Sequence, residues 1–143
     1  MGSDEEIKQM LEEYRTVAVV GLSRNPSKDS YRVAKYLKDQ GYDIIPINPF
    51  ADEIMGEKCY GSLLELPGNL QKAVEIVDVF RPSEDVPPIV EEAIRLRERN
   101  GAPHVIWMQL DIVNEEAAER ARDAWFKVVM NKCILVEHKR LMR

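Results

Sequence analysis

A site for phosphate is indicated by the residues that follow the first apolar run of the chain. Residues 16–20 are β-favouring or small and apolar without alternation, which predicts a strand buried on both faces. Gly21 follows at once, where a backbone can turn tightly and approach a ligand closely. Ser30 is the predicted N-cap of the next helix. Backbone N–H groups and the positive end of that helix's dipole would then point at one spot, which favours an anion.

Positive charge lies beside this turn. Arg24 and Lys28 stand between the glycine and the predicted helix start, among small and polar residues. Charge-assisted contacts from such side chains strengthen phosphate binding. An ordinary βα turn of a parallel sheet has the same pattern, with its basic residues on a solvated face. The segment by itself therefore leaves both interpretations open.

Alternating strands and helices predict the fold that positions these residues. Strands are predicted at 16–20, 42–47, 74–80, 104–108 and 127–130. Helices are predicted at 4–14, 30–40, 83–99, after 114 and at 134–142. Strands separated by helices form right-handed βαβ units around a parallel sheet. We therefore expect an α/β fold: a Rossmann-like three-layer αβα sandwich with a mainly parallel five-stranded sheet, formed by residues 1–143 as a single domain.

Individual residues predict where these elements begin and end. The predicted helix N-caps are Ser3, with Glu6 completing a capping box, Ser83 and Asn114. Pro46 predicts that the second strand ends there or lies at an edge of the sheet, because proline cannot donate to a strand ladder. Residues 51–61 are predicted to be a loop.

The composition restricts the classes of partner. The formal net charge of −5 argues against nucleic acid or an anionic membrane as the main partner. No apolar run approaches the roughly 20 residues that span a bilayer, and the acidic N-terminus lacks the features of a secretion signal. Cys59 and Cys133 are far apart, so neither a disulfide framework nor a metal site is predicted. A cytoplasmic location is expected.

Polar groups follow every predicted strand. In parallel sheets the ligand crevice lies beyond the carboxyl ends of the strands, so these residues are expected at one rim. They are Gly21 and Ser23, Asn48 and Pro49, Phe80 with Arg81 and Pro82, Gln109, and Asn131 with Cys133. Polar residues are common in loops, so the pattern supports a site without naming its ligand.

A nicotinamide dinucleotide is disfavoured as that ligand. The segment after Gly21 lacks the second and third glycines of a GxGxxG motif, which permit close approach of the pyrophosphate. The second strand ends in Asn48 and Pro49, where dinucleotide sites place a carboxylate for the ribose. The cations of the predicted rim, among them Arg24, Lys28 and Arg81, suit a ligand with more phosphate.

Five segments in order resemble the small stand-alone CoA-binding proteins. They read VVGLSRNPSKDSYRVAKYL, IIPINP, VDVFRP, VIWMQL and VVMNKC. These proteins are similar to the nucleotide-binding N-terminal domain of the succinyl-CoA synthetase α subunit, and the resemblance extends from about Thr16 to His138. It implies a Rossmann-like fold in which the glycine loop and the following helix hold the phosphates of coenzyme A.

The resemblance also implies the residues that bind. Phosphate contacts fall to the glycine loop, nucleotide contacts to the end of the second strand, and the rest of CoA lies against the end of the third. The implied set is Gly21, Ser23, Arg24, Lys28, Asn48, Pro49, Phe80, Arg81 and Pro82, and Leu22 of the glycine loop, Ser30 at the helix start and Gln109 after the fourth strand complete the predicted binding site. The sequence departs from the family pattern at Leu110-Asp111 and at Asn131, and Asn131 removes a carboxylate.

Few residues indicate catalysis. Cys133 lies near a predicted helix N-terminus beside Lys132, and both features favour a thiolate, so it is a candidate reactive thiol. A buried, unreactive thiol is the alternative. His104 and His138 have no nucleophile nearby in sequence and are interpreted as structural or surface residues.

The expected function is to bind coenzyme A or an acyl-CoA, without catalytic machinery of the chain's own. One alternative is an NAD(P)-binding domain of oxidoreductase type. Another is the CoA-binding subunit of a split acyl-CoA ligase, in which partner chains supply a phosphorylated histidine and an ATP site.

Overall fold

The computed structural model describes residues 3–142 and contains seven strands and six α-helices. The strands are β1 (Thr16–Val20), β2 (Asp43–Ile47), β3 (Glu53–Ile54), β4 (Glu57–Lys58), β5 (Ile76–Val79), β6 (Val105–Met108) and β7 (Lys127–Val129). The helices are α1 (Asp4–Glu13), α2 (Asp29–Asp39), α3 (Gly68–Ala73), α4 (Val86–Asn100), α5 (Glu115–Asp123) and α6 (Ile134–Leu141). Two 3-10 turns lie at Leu63–Glu65 and Ser83–Asp85.

Five strands form one parallel sheet in the order β2-β1-β5-β6-β7. Alternate residues of each strand point to opposite faces, so one apolar strand supplies two cores. Val17 and Val19 face α1, α2 and α6, whereas Ala18 and Val20 face α4 and α5. The predicted three-layer α/β sandwich with a parallel five-stranded sheet is confirmed.

Two of the predicted caps form as expected. The Ser3 hydroxyl accepts from the Glu6 N–H at 3.2 Å, and the Glu6 carboxylate accepts from the Ser3 N–H at 3.1 Å. The Asn114 side chain accepts from the Ala117 N–H at 2.9 Å. These contacts satisfy N–H groups that have no partner inside their helices.

The predictions that Ser30 and Ser83 are N-caps are wrong. The α2 helix begins one residue before Ser30, with Lys28 at the N-cap, and the Ser30 side chain is buried. Ser83 starts a 3-10 turn, and its hydroxyl accepts from the Val113 N–H at 2.9 Å. The α4 helix begins later, at Val86, because its prolines fit only the first turn, where an N–H is not needed.

The segment around β2 also differs in part from the prediction. Pro46 lies inside β2, which is an edge strand, and its carbonyl accepts from the Tyr60 N–H at 3.1 Å. The predicted loop at 51–61 contains the antiparallel pair β3-β4, joined by a turn in which Met55 has a φ of 54°. A left-handed backbone conformation at a residue other than glycine leaves no signal in the sequence, so this turn could not be predicted. The short α3 helix was likewise not predicted.

No helix within residues 3–142 has the length and apolar character needed to cross a bilayer.

Candidate functional site

The turn after β1 is tightly held at the centre of the sheet's carboxyl edge. The Gly21 N–H donates to the Ile47 carbonyl at 3.0 Å, which joins the turn to the end of β2. Gly21 has a φ of 89°, and a Cβ there would lie 2.6 Å from the Phe80 carbonyl oxygen at the end of β5. Only glycine fits this conformation and this close approach.

A chain of hydroxyl and amide contacts shapes the loop between β1 and α2. The Ser23 N–H donates to the Ser30 hydroxyl at 2.9 Å, so the buried Ser30 side chain ties the loop to the helix. The Ser23 hydroxyl accepts from the Asn25 N–H at 3.0 Å, and the Asn25 carboxamide accepts from the Ser27 N–H at 3.0 Å. The loop is therefore held in one conformation by its own side chains.

Two cations of this loop face solvent. Arg24 and Lys28 are exposed, and neither forms an ion pair within residues 3–142. Lys28 is the N-cap of α2 and its side chain does not cap the helix. Arg81, in contrast, contacts Asp85 at 2.8 Å, and Arg32 pairs with Asp29. Arg24 and Lys28 are thus available to an anion near the start of α2.

Asn48 connects the loop to the end of β2. Its side-chain N–H donates to the Leu22 carbonyl at 2.9 Å, and its carboxamide oxygen accepts from the Phe50 N–H at 2.7 Å. Leu22 itself is fully buried and belongs to the core between the sheet and helices α1, α2 and α6. Asn48 therefore positions the turn that carries Pro49 and Phe50.

A cleft of about 600 Å³ lies at this carboxyl edge. Six predicted site residues line it: Gly21, Leu22, Ser23, Asn48, Pro49 and Arg81. Its other wall was not predicted and includes Phe50, Gly61, Ser62, Leu63, Pro88, Ile89 and Glu92. Most of that wall comes from α4 and from residues 61–63, which lead into the 3-10 turn at Leu63–Glu65. Phe50 directly follows the predicted Asn48-Pro49, whereas the other residues of this wall are not adjacent in sequence to any predicted site residue.

A second, more apolar pocket of about 380 Å³ lies on the other face of the sheet. Phe80, Gln109 and Cys133 line it together with apolar residues of α6 and of the segment after β6, and α2 contributes Val33 and the paired side chains of Asp29 and Arg32. The Gln109 side chain is buried and accepts from the Ile134 N–H at 3.1 Å, so it caps α6. Consecutive residues Phe80 and Arg81 therefore belong to different pockets. Four predicted site residues line neither pocket: Arg24, Lys28, Ser30 and Pro82.

Cys133 is half-buried at the N-cap of α6. The neighbouring Lys132 ammonium lies 3.7 Å from the Glu137 carboxylate, which balances its charge. Cys59 is buried, and burial raises the pKa of its thiol. Of the two cysteines, Cys133 is the one that a ligand in the apolar pocket would meet.

The departures from the family pattern are compatible with the fold. Asp111 and Asn131 have φ values of 68° and 60°, a region that Asn and Asp enter more readily than most residues. The Asn131 carboxamide oxygen accepts from the Asp111 N–H at 2.7 Å. The contact needs an acceptor oxygen, which an amide supplies without adding a negative charge beside Asp111.

Neither histidine lines these pockets, and each packs against tyrosine. His104 stacks on Tyr14, and burial, assisted by Arg97, lowers the pKa of its imidazole. His138 Nδ1 lies 2.6 Å from the Tyr36 hydroxyl, and burial lowers the pKa of this imidazole also.

One buried carboxyl was not singled out by the sequence. Asp78 is fully buried in β5, between Val19 of β1 and Trp107 of β6, and within residues 3–142 neither of its side-chain oxygens has a hydrogen-bond partner. Burial raises the pKa of Asp78 well above its usual value.

The sheet order, the glycine turn and the crevice at the carboxyl edge define a Rossmann-like protein. A family described as CoA binding domain matches residues 15–139, and the chain belongs to this family. The predicted resemblance is therefore confirmed.

Several relatives resemble the chain over different extents. The uncharacterized protein YneT of Bacillus subtilis is 42% identical over 136 residues, which are 95% of this chain and 94% of that protein. A hypothetical protein from Pyrococcus horikoshii has a solved structure with a TM-score of 0.90 at 37% identity, covering 99% of this chain and 94% of that one. The ADP-forming acetate–CoA ligase of Methanocaldococcus jannaschii is 40% identical over 91 residues, which are 64% of this chain and 12% of the ligase.

Proposed function

We propose that the protein binds coenzyme A or an acyl-CoA at the carboxyl edge of its sheet. The observation that carries this proposal is the Gly21 turn, which lines the cleft of about 600 Å³ and where any Cβ would lie only 2.6 Å from the Phe80 carbonyl oxygen. Backbone at such a turn contacts phosphate closely, and family membership supplies the class of ligand.

The nucleotide end of CoA is assigned to the cleft. Gly21, Ser23, Asn48 and Pro49 line that cleft, and Arg24 and Lys28, which form no ion pair within residues 3–142, lie in the segment that follows Gly21. The phosphates would lie near the N-terminus of α2, where the helix dipole and two cations act together.

The pantetheine arm is assigned to the apolar pocket. The segment Phe80-Arg81-Pro82 lies between the two pockets, with Phe80 facing the apolar pocket and Arg81 facing the cleft. An arm that crosses this segment would carry the sulfur toward Cys133. The chain would act as a cytoplasmic binding protein without catalytic groups of its own.

Calorimetric titration with CoA, acetyl-CoA, NAD and NADP tests the proposal. CoA or acetyl-CoA should bind, with no heat from the two dinucleotides. Binding of NADP but not CoA would instead support an oxidoreductase-type domain. The Ser23→Glu substitution should abolish CoA binding with an unchanged circular dichroism spectrum, because it puts a carboxylate beside the phosphates.

A second candidate is a CoA-binding subunit of a larger acyl-CoA ligase. The similarity of 64% of this chain to 12% of the M. jannaschii acetate–CoA ligase favours it. Copurification of an ATP-binding chain, with ligase activity in the mixture that neither chain has alone, would establish this role.

A further inference from the structure

Glu92 of α4 forms part of the unpredicted wall of the cleft. Its Oε1 accepts from the Leu63 N–H at 3.2 Å, which fixes the carboxyl group against the 3-10 turn. Burial raises the pKa of Glu92, and the hydrogen bond from Leu63 opposes that shift. Within residues 3–142, no donor forms a hydrogen bond with Oε2. This oxygen is an acceptor available to a ligand.

The charges divide the cleft into two regions. The Gly21 turn, with Arg24 and Lys28 nearby, suits phosphate. The wall formed by α4 does not, because Glu92 would repel an anion and Asp85 already pairs with Arg81 at 2.8 Å. The α4 wall suits the part of a nucleotide that carries hydrogen-bond donors.

Apolar surface beside Glu92 suits a flat ring. Pro88 and Ile89 line the cleft beside Glu92, and Phe50, which also lines the cleft, is 84% exposed. An exposed aromatic side chain at the mouth of a cleft offers a stacking surface for a nucleobase. The base of a bound nucleotide would therefore occupy this region, with its edge toward the carboxyl group.

We propose that Glu92 selects adenine, with Oε2 accepting a hydrogen bond from the exocyclic N6 amino group. This inference rests on the proposed function and adds to it the residue that reads the base. A hypoxanthine base presents a carbonyl oxygen at the same position, and two acceptors would then face each other. Selectivity arises because a site built to accept a hydrogen bond rejects a ligand that cannot donate one.

The Glu92→Gln substitution tests this role without removing the contact to Leu63, because the glutamine carboxamide oxygen can still accept from that N–H. The amide also presents a donor, which can pair with the hypoxanthine carbonyl. Glu91→Gln is the matched control: it removes the same charge from the adjacent residue, whose carboxylate pairs with Arg120 outside the cleft.

Titration calorimetry with CoA and with its N6-deaminated analogue gives the readout. The wild type and Glu91→Gln should prefer CoA by roughly tenfold to a hundredfold, as expected for a hydrogen bond to a charged group. Glu92→Gln should lose most of that preference. Equal binding of the two ligands by the wild type, or an unchanged preference in Glu92→Gln, overturns the role of Glu92. Failure of the wild type to bind either ligand overturns the CoA proposal itself and this inference with it.

Discussion

Asp78 makes the stability of this protein depend on pH. Its carboxyl group is fully buried in β5 and has no hydrogen-bond partner within residues 3–142, so burial favours the neutral form and raises the pKa of Asp78 well above its usual value. The unfolded chain releases that proton near the ordinary value of 3.8. At any pH between the unfolded and folded pKa values, folding must therefore take up a proton.

The sign and size of the effect follow from this linkage. Because the folded-state pKa of Asp78 is raised, its contribution is fully present below the unfolded pKa. It is lost as the pH rises toward the folded pKa. The loss per pH unit in that window is about 1.4 kcal/mol of the free energy of unfolding.

The Asp78→Asn substitution should remove this dependence. Asparagine has nearly the same shape and does not titrate, although its unpaired amide carries a pH-independent penalty of about 1–3 kcal/mol. As the pH rises between the unfolded and folded pKa values of Asp78, the free energy of unfolding of the variant should increase relative to that of the wild type by about 1.4 kcal/mol per pH unit.

Urea unfolding at a series of pH values, followed by the fluorescence of the fully buried Trp107, measures this difference. Asp43→Asn, at an exposed position of β2 in the same sheet, is the control and should follow the wild-type pH dependence. Parallel pH profiles for Asp78→Asn and the wild type would refute the reasoning, since they would mean that Asp78 has a partner or reaches solvent when folded.

Three further substitutions test the site. Gly21→Ala should lower the free energy of unfolding by about 1–3 kcal/mol in urea titrations, because the alanine Cβ would lie 2.6 Å from the Phe80 carbonyl oxygen and the φ at this position is positive. A variant as stable as the wild type would contradict the close approach of Gly21 to Phe80. Lys28→Glu should weaken CoA binding roughly tenfold by calorimetry, while Lys8→Glu on the exposed face of α1 should leave it unchanged. Equal losses in both would indicate only a long-range charge effect. Cys133→Ser should leave non-covalent CoA affinity unchanged, and a large loss would show that the thiol itself contacts the ligand.

Much of the fold was predictable because its signals are local. The unalternating run at 16–20 indicates a strand covered on both faces, and the helical spacing between strands indicates parallel pairing. Gly21 was identifiable from its place after a strand. The caps at Ser3 and Asn114 were correct because each is made by side chains three residues apart.

The wrong assignments share one cause. Ser30 and Ser83 are good N-cap residues by type, but each hydroxyl oxygen accepts from a backbone N–H outside its own helix start, that of Ser23 for Ser30 and that of Val113 for Ser83. Val113 belongs to another loop and Ser23 lies seven residues before Ser30, so both partners are beyond the three-residue spacing by which an N-cap is predicted. The preference of serine for the N-cap position is overridden when its hydroxyl oxygen accepts a hydrogen bond from elsewhere in the fold.

The sequence by itself determined the class of fold, the glycine turn and the family. Only the tertiary structure decided that Phe80 and Arg81 face different pockets, that Glu92 closes the cleft, and that Asp78 is buried without a partner. The physical reason is the range of the interactions. Turns, caps and periodicity act over a few residues, whereas a cleft wall and the environment of a carboxyl group depend on elements brought together by the packing of the whole sheet.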